Sequence, residues 1–371
     1  MMAVKILFFI ENLSGGGAEK VLCDLVNAMD QSKFDITVQT LWRADAGKYL
    51  KPGIRYRWCY SKETGFTNFR SRLEAGAGLL YPLHIRDDYD VEVAYLEFGS
   101  TKVLSHSTNK KAKKIAWVHS DLVQKLNGKP EMLQKIAAQY AAYDRIVCVS
   151  QTARDSFVRL FQREQDAVVL YNTVDDEAIR EKAKLAPAVP FRKRRLTMAA
   201  VGRLSAEKQF DLLLRVHKRL LDDGLSHDLW IVGEGDQRGK LEAYLSENGL
   251  SDSVTLFGFQ SNPYPYMNAA DLLVCSSRYE GFSTFVAEGL ILGKPIVTTE
   301  CSGMRELLGD SAYGLITENS EAALLAGVRR LLSDSGERET YAARAAKRGC
   351  DISSQTTTTI TEQFFLNILE D

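Results

Sequence analysis

Short apolar runs rich in valine and isoleucine alternate along this chain with segments whose apolar positions recur every three or four residues. A buried parallel strand produces the first pattern and a helix lying on a sheet face the second, so the alternation predicts βαβ units and a mostly parallel sheet. The pattern runs twice. It predicts strands near 4–10, 35–41, 91–96, 115–118, 145–149 and 168–171 in the first half, and near 196–201, 228–232, 253–257, 271–275, 295–299 and 314–316 in the second. The first helix is the plainest, with Val21, Leu22, Leu25, Val26 and Met29 on one face. Between about 183 and 195 two prolines, several alanines and the run Arg192-Lys193-Arg194-Arg195 interrupt the periodicity, which puts the linker there. The expected organisation is α/β: a Rossmann-like domain over 1–185, a second over 195–350, and a helix over 351–371. Ile360, Phe364, Phe365, Ile368 and Leu369 of that last helix fall at helical spacing, and it is expected to pack back on the first domain.

Composition narrows the function. The chain has 371 residues, 45% of them hydrophobic and 26% charged, with only 8 prolines, so it can fill two cores and is neither a small binding module nor a disordered or collagen-like chain. With 47 Lys and Arg against 48 Asp and Glu, no global field draws it to nucleic acid, and an anion has to be bound locally. The six cysteines are far apart and form no C-x-x-C pair, which reads as reduced core residues of a cytoplasmic protein. The apolar run ending at Ile10 is too short for a signal peptide and is expected to be the first buried strand. Two basic clusters, Lys110 to Lys114 and Arg192 to Arg195, read as solvated faces, with peripheral contact on an anionic inner-membrane face as the alternative.

Three places carry candidate chemistry. The turn Ser14-Gly15-Gly16-Gly17-Ala18-Glu19 follows the first strand and opens a helix, where glycines let amides approach an anion. It lacks the third small residue of a dinucleotide fingerprint, and no Gly-Lys pair is followed by the Ser or Thr of a P-loop. A plain strand-to-helix turn stays open. After the predicted strand at 196–201, Gly202-Arg203-Leu204 and Lys208 set two cations near a helix start, a pattern suited to a pyrophosphate or to a solvated pair. After the strand at 271–275 comes Glu280-Gly281-Phe282-Ser283, with Glu288 about two turns into the helix beyond, roughly 10 Å further on. Carboxylates so spaced can grip two ends of a polyhydroxylated ligand, and free amides between them favour phosphate; ordinary capping is the competing reading.

Asp88-Tyr89-Asp90 fits a D-x-D metal signature but sits before a strand and reads as its solvated lead-in. Among the histidines, His84, His106, His217 and His227 show no ligand spacing and read as surface or helix residues, whereas His119 follows the strand Ile115-Ala116-Trp117-Val118.

Taken in order, the glycine turn at 15–19, His119, Val149-Ser150, Asn172-Thr173-Val174-Asp175, Gly202-Arg203-Leu204 with Lys208, Gly233-Glu234-Gly235, and Glu280/Glu288 followed by Gly293-Lys294-Pro295 resemble glycosyltransferase family 4 over nearly the whole chain. The resemblance implies a GT-B fold, two Rossmann-like domains facing a central cleft, and retaining transfer of a sugar from a nucleotide donor, UDP-linked by expectation. It implies that Arg203 and Lys208 clamp the diphosphate, Glu288 accepts from the ribose, Glu280 partners the sugar hydroxyls, and the amides of Gly281, Phe282 and Ser283 help hold the phosphates. His119, Gly16 and Gly17 would reach the donor from the opposite domain, and Gly258-Phe259 would lie by the base. No metal or other cofactor is expected, and the acceptor class implied is a glycan or a lipid-linked precursor of cell-surface polysaccharide. Three positions depart from the family pattern: Gln209 where Gly often follows the Lys, Ser283 where Pro often follows Gly-Phe, and Gly289 where Ala usually follows the second Glu. A nucleotide-sugar epimerase on the same fold and a non-catalytic nucleotide-sugar-binding subunit are the alternatives.

Overall fold

The computed structural model describes residues 3–13, 17–45, 49–126, 130–280 and 282–370. The chain divides into two compact units, Met1–Thr173 with Ser354–Asp371, and Val174–Ser353.

The first unit is built on a parallel sheet whose strands are β1 (Val4–Ile10), β2 (Phe34–Trp42), β3 (Arg55–Tyr60), β4 (Val91–Ala94), β5 (Lys113–Val118), β6 (Arg145–Cys148) and β7 (Ala167–Val169). Their order is β3-β2-β1-β4-β5-β6-β7. Central β1 reads as a continuous apolar run because both its faces are covered, and Ile6 to Phe9 are fully buried. The periodicity missed β3. Its Arg-Tyr-Arg-Trp-Cys-Tyr sequence lies at the sheet edge with much of its surface exposed, where basic side chains keep an edge strand from recruiting another chain.

The helix Ser354–Glu370 belongs to this unit. Its buried face is Thr357, Thr361, Phe365 and Ile368, whereas Ile360 and Leu369, expected on the packing face, are exposed. The threonines can be buried because their hydroxyls bond back along the helix, Thr357 to Ser354 O at 3.2 Å and Thr361 to Thr357 O at 3.0 Å. Phe365 meets the rings of Phe8 at 5.8 Å, Phe34 at 6.4 Å and Trp117 at 6.4 Å, and Glu362 accepts from Asp30 N at 2.7 Å.

The second unit holds β8 (Thr197–Val201), β9 (Asp228–Val232), β10 (Val254–Leu256), β11 (Leu272–Cys275), β12 (Ile296–Thr299) and β13 (Leu315–Thr317), parallel, in the order β10-β9-β8-β11-β12-β13. It begins at Val174, so the first domain is shorter than the 1–185 expected and the 183–195 stretch is not a free linker. Ile179 and Ala183 of the helix Asp176–Ala183 lie in the second core. Phe191 stacks on Trp230 at 4.5 Å, and the Tyr266 hydroxyl donates to Val189 O at 2.9 Å. Prolines broke the helical period there, but the Phe191 ring, the Val189 carbonyl and the Lys193–Asp271 ion pair hold the segment to the second unit.

Two histidines expected as surface or helix residues are both buried in this unit: His217 lies in the helix Phe210–Asp222, and His227 just before β9. Leu225 O can only accept, so His227 Nδ1, 2.7 Å away, carries a proton and His227 Nε2 accepts from His217 Nδ1 at 2.9 Å. His217 Nε2 then accepts from the Ser253 hydroxyl at 2.9 Å, which completes the chain with both rings neutral. Burial first, then the neighbouring imidazole and Arg195, push His217 down to about 3, and burial also lowers His227. All six cysteines are free; Cys23, Cys148 and Cys275 are buried, Cys59 and Cys301 half-buried, and Cys350 exposed.

The pH dependence follows from the sign of these shifts. A histidine with a depressed folded-state pKa contributes full stability above its unfolded value and loses it as pH falls, because the unfolded chain takes up the proton first. From pH 7 to pH 5 the second unit should lose about 2 kcal/mol through His217, with His227 adding in the same direction, read as a falling urea midpoint. His217→Gln should flatten that slope, and an equal slope in wild type and variant would show that the pair is not held neutral.

Candidate functional site

In the second sheet the strand order reverses between β8 and β11, the point where crossovers diverge and open α/β sheets bind ligands outside their carboxyl ends. Both strands run directly into the residues singled out by sequence. After β8 come Gly202 and Arg203, then a single turn of 3-10 helix, Ala206–Lys208. After β11 come Ser276, Ser277 and Glu280.

The two loops are bonded to one another. Lys208 Nζ donates to Glu280 Oε1 at 2.5 Å, and the Ser277 hydroxyl donates to the same oxygen at 2.7 Å. The Ser276 hydroxyl donates to Lys208 O at 2.8 Å, and Arg278 N to Glu207 O at 2.7 Å. Burial alone would lower the Lys208 pKa; the Glu280 carboxylate outweighs it and holds the ammonium above its ordinary range. Glu280 Oε2 accepts no hydrogen bond among the described residues. Arg203 is exposed and has no carboxylate partner among the described residues, so one cation is fixed and its neighbour is uncommitted.

The loop Gly233-Glu234-Gly235 after β9 closes against the backbone of Gly202 to Leu204. Leu204 N donates to Glu234 O at 2.8 Å, Gln237 N to Leu204 O at 2.9 Å, and Gly233 N to Gly258 O at 2.9 Å. A Cβ on Gly233, whose φ is +148°, would sit 1.9 Å from Gly202 O, and one on Gly235 2.3 Å from Leu204 O. The motif is glycine because backbone passes against backbone. Gly258 lies at the same corner, and Phe259 beside it presents an exposed ring.

Glu288 is buried in the helix Thr284–Ile291, and its Oε1 accepts from the Tyr264 hydroxyl at 3.1 Å. The structure also accounts for the three departures from the family pattern. Gln209 has φ +48°, the left-handed conformation that glycine adopts without strain. Ser283 caps the helix, its hydroxyl accepting from Val286 N at 3.4 Å. A Cβ on Gly289 would press to 2.7 Å from Leu273 Cδ1, so this core takes no alanine there without a shift. Phe282 is half-buried against the second core. Gly16 and Gly281 lie outside the described residues.

In the first unit, Gly17 is the exposed first residue of the helix Gly17–Ala28. His119 follows β5 and rests on the Tyr95 ring at 4.8 Å. Beneath it lies Glu97, which no motif had marked and which is buried after β4. Glu97 accepts from His119 N at 3.1 Å, from Lys125 Nζ at 2.9 Å and from the Ser120 hydroxyl. Burial opposes its charge, but Lys125, His119 and Ser120 outweigh that and hold its pKa down to about 2. Burial lowers His119 to about 4, so the ring is neutral at pH 7, and its Nε2 is buried with no partner among the described residues. The Asp88-Tyr89-Asp90 signature is structural on two of its three positions: Tyr89 is buried and Asp90 accepts from Lys5 N at 2.8 Å.

The sequence matches the family described as Glycosyltransferase Family 4 over residues 15–178 and that described as Glycosyl transferases group 1 over 181–348, nearly the whole chain between them. The chain belongs to glycosyltransferase family 4. It is 33% identical over 216 residues, 57% of each chain, to the N-acetylgalactosamine-N,N'-diacetylbacillosaminyl-diphospho-undecaprenol 4-alpha-N-acetylgalactosaminyltransferase of Campylobacter jejuni. The matched stretches span about half the length of such curated relatives. Among solved structures, Anabaena Alr3699/HepE in complex with UDP and glucose superposes with a TM-score of 0.78 at 18% identity, covering 98% of this chain and 100% of that one. Sucrose-phosphate synthase from Thermosynechococcus elongatus gives 0.80 at 15% identity, covering 99% and 100%. These likenesses fix the fold of this family 4 chain as GT-B.

Sequence reasoning found the charged residues of the second unit but not the groups that hold them, Ser276, Ser277 and Tyr264; only the position of the serine pair directly after an apolar strand hinted at it. If the glycine loop sets the backbone of Gly202 to Leu204, Gly233→Ala and Gly235→Ala should each destabilise the second unit by about 1–3 kcal/mol, the scale of forced overpacking. Urea denaturation checks this, and an unchanged midpoint in both variants would mean that the close approach imposes no constraint.

Proposed function

We propose that this chain transfers a hexosyl group from a UDP-linked sugar to a glycan or lipid-linked acceptor, with retention at the anomeric carbon and without a bound metal ion. The observation that carries the proposal is the pairing of an anchored cation, Lys208, with an uncommitted one, Arg203, at the switch point of the second sheet. Arg203 can fork across two diphosphate oxygens while Lys208 supplies a point charge. As the sugar departs, negative charge builds on the diphosphate, and the anchored Lys208 and the uncommitted Arg203 together offset it, the role a metal fills elsewhere.

The remaining groups take the following roles in this proposal. Glu280 holds Lys208 through one oxygen and leaves the other for a sugar hydroxyl. Glu288, supported by Tyr264, accepts from the ribose. Phe259 and Gly258 border the base, and the amides from Gly281 to Ser283 meet the phosphates. From the first unit, Gly16, Gly17 and neutral His119 serve the donor; an uncharged ring with an unmet Nε2 suits a sugar hydroxyl. The choice of UDP is supported by the nucleotide in the HepE complex, and a lipid-linked acceptor by the diphospho-undecaprenol in the Campylobacter relative's name.

The test is a panel of UDP-sugars with a polyprenyl-diphosphate-linked sugar acceptor, following UDP release and the anomeric configuration of the product by NMR. Arg203→Ala should lower kcat/KM by more than about 100-fold, and turnover should survive excess EDTA. Near-normal turnover in the variant, an isomerised donor in place of a transfer product, or activity that EDTA removes and Mn²⁺ restores would each overturn the corresponding part of the proposal.

A further inference from the structure

The helix Gly65–Gly76 in the first unit is amphipathic the wrong way round for a core helix. At about 100° per residue, Phe66, Phe69 and Leu73 fall within one arc, and they are 72%, 62% and 58% exposed. The side turned to the protein is polar instead: Ser71 and Glu74 are buried, and Glu74 accepts from the Tyr60 hydroxyl at 2.5 Å and pairs with His84 at 2.9 Å. The helix is well formed despite this, with a capping box between Thr64 and Thr67. Leu79 and Leu83 of the adjoining turn of helix add two more exposed leucines.

Charge is distributed to match. Arg70 and Arg72 project on opposite flanks of the apolar arc. Of the six arginines and lysines in residues 55–86, Arg55 pairs with Asp35, Arg57 with Asp87 and Arg70 with Glu74. Lys62, Arg72 and Arg86 are exposed and have no carboxylate partner among the described residues. An aromatic and leucine stripe bordered by arginines is the composition of a helix lying in the plane of a lipid interface, its rings among the acyl chains and its guanidinium groups at the phosphates. The stripe stands on an exposed helix face, and no helix among the described residues is long and apolar enough to cross a bilayer.

We propose that the Gly65–Gly76 helix docks this chain on an anionic lipid bilayer, with Phe66, Phe69 and Leu73 inserted and Lys62, Arg72 and Arg86 meeting the headgroups. This places the membrane contact away from the basic clusters at 110–114 and 192–195. It does not depend on which sugar is transferred or on whether transfer occurs.

Co-sedimentation with vesicles tests it, using equal parts phosphatidylglycerol and phosphatidylcholine against phosphatidylcholine alone. Wild type should bind the anionic vesicles, less in high salt, and should not bind the neutral ones. The triple variant F66S/F69S/L73S should bind at least tenfold more weakly with its thermal midpoint unchanged, since those side chains contribute little to the core. Lys62→Gln and Arg72→Gln, which break no ion pair, should each weaken binding about fivefold, and they decide the matter if the triple variant misfolds. Failure of wild type to bind anionic vesicles overturns the proposal. So does binding unaffected by these substitutions, or a dimer in sedimentation velocity that the triple variant dissociates without loss of vesicle binding.

Discussion

The bond between Lys208 and Glu280 is the constraint around which the second unit's candidate site is arranged. A half-buried ammonium gains from a counter-charge, and the better-buried carboxylate beside it needs donors in return; each makes the other tolerable. Because one partner follows β8 and the other β11, satisfying both ties the two loops at the switch point into one geometry. Ser277 adds a second donor to the same carboxylate oxygen, and Ser276 fixes the backbone of Lys208 itself. Arg203 stands outside that arrangement, so the locus keeps an uncommitted positive charge.

A buried carboxylate organises the first unit in the same way. Glu97 collects the amide of His119, the hydroxyl of Ser120 and the ammonium of Lys125, joining the carboxyl ends of β4 and β5. The side chain that results is a neutral imidazole rather than a cation, because burial lowers His119 further than Glu97 raises it. One fold used twice therefore presents charge in one unit and a neutral hydrogen-bonding group in the other.

Legibility in the sequence followed the energetics of each element. The central strands of the second sheet, β8, β9, β11 and β12, were readable because they are buried nearly throughout and leave apolar runs. Edge strand β3 was not, since alternating arginines and aromatics answer to solvent as much as to the core. The C-terminal helix was foreseen from Phe365 and Ile368, but not its threonine face, because hydroxyls bonded back to the helix bury at little cost and leave no apolar signature. Likewise, His217 and His227 read as surface or helix residues, and their burial shows only once each is seen to satisfy the other. The charged site residues were legible as motifs; Glu97, Ser277 and Tyr264 were not, because a supporting group is chosen by distance in space and carries no spacing in sequence.

The most direct measurement of the account is a double-mutant cycle on Lys208 and Glu280, with uridine diphosphate affinity read by calorimetry for wild type, Lys208→Met, Glu280→Gln and the double variant. If the pair sets the anion site as a unit, the effect of Glu280→Gln should change by about 0.5–3 kcal/mol when Lys208 is absent, the range found for residues in one hydrogen-bonded network. Effects that add to within about 0.5 kcal/mol would contradict the account and leave the bond a structural contact without bearing on the ligand.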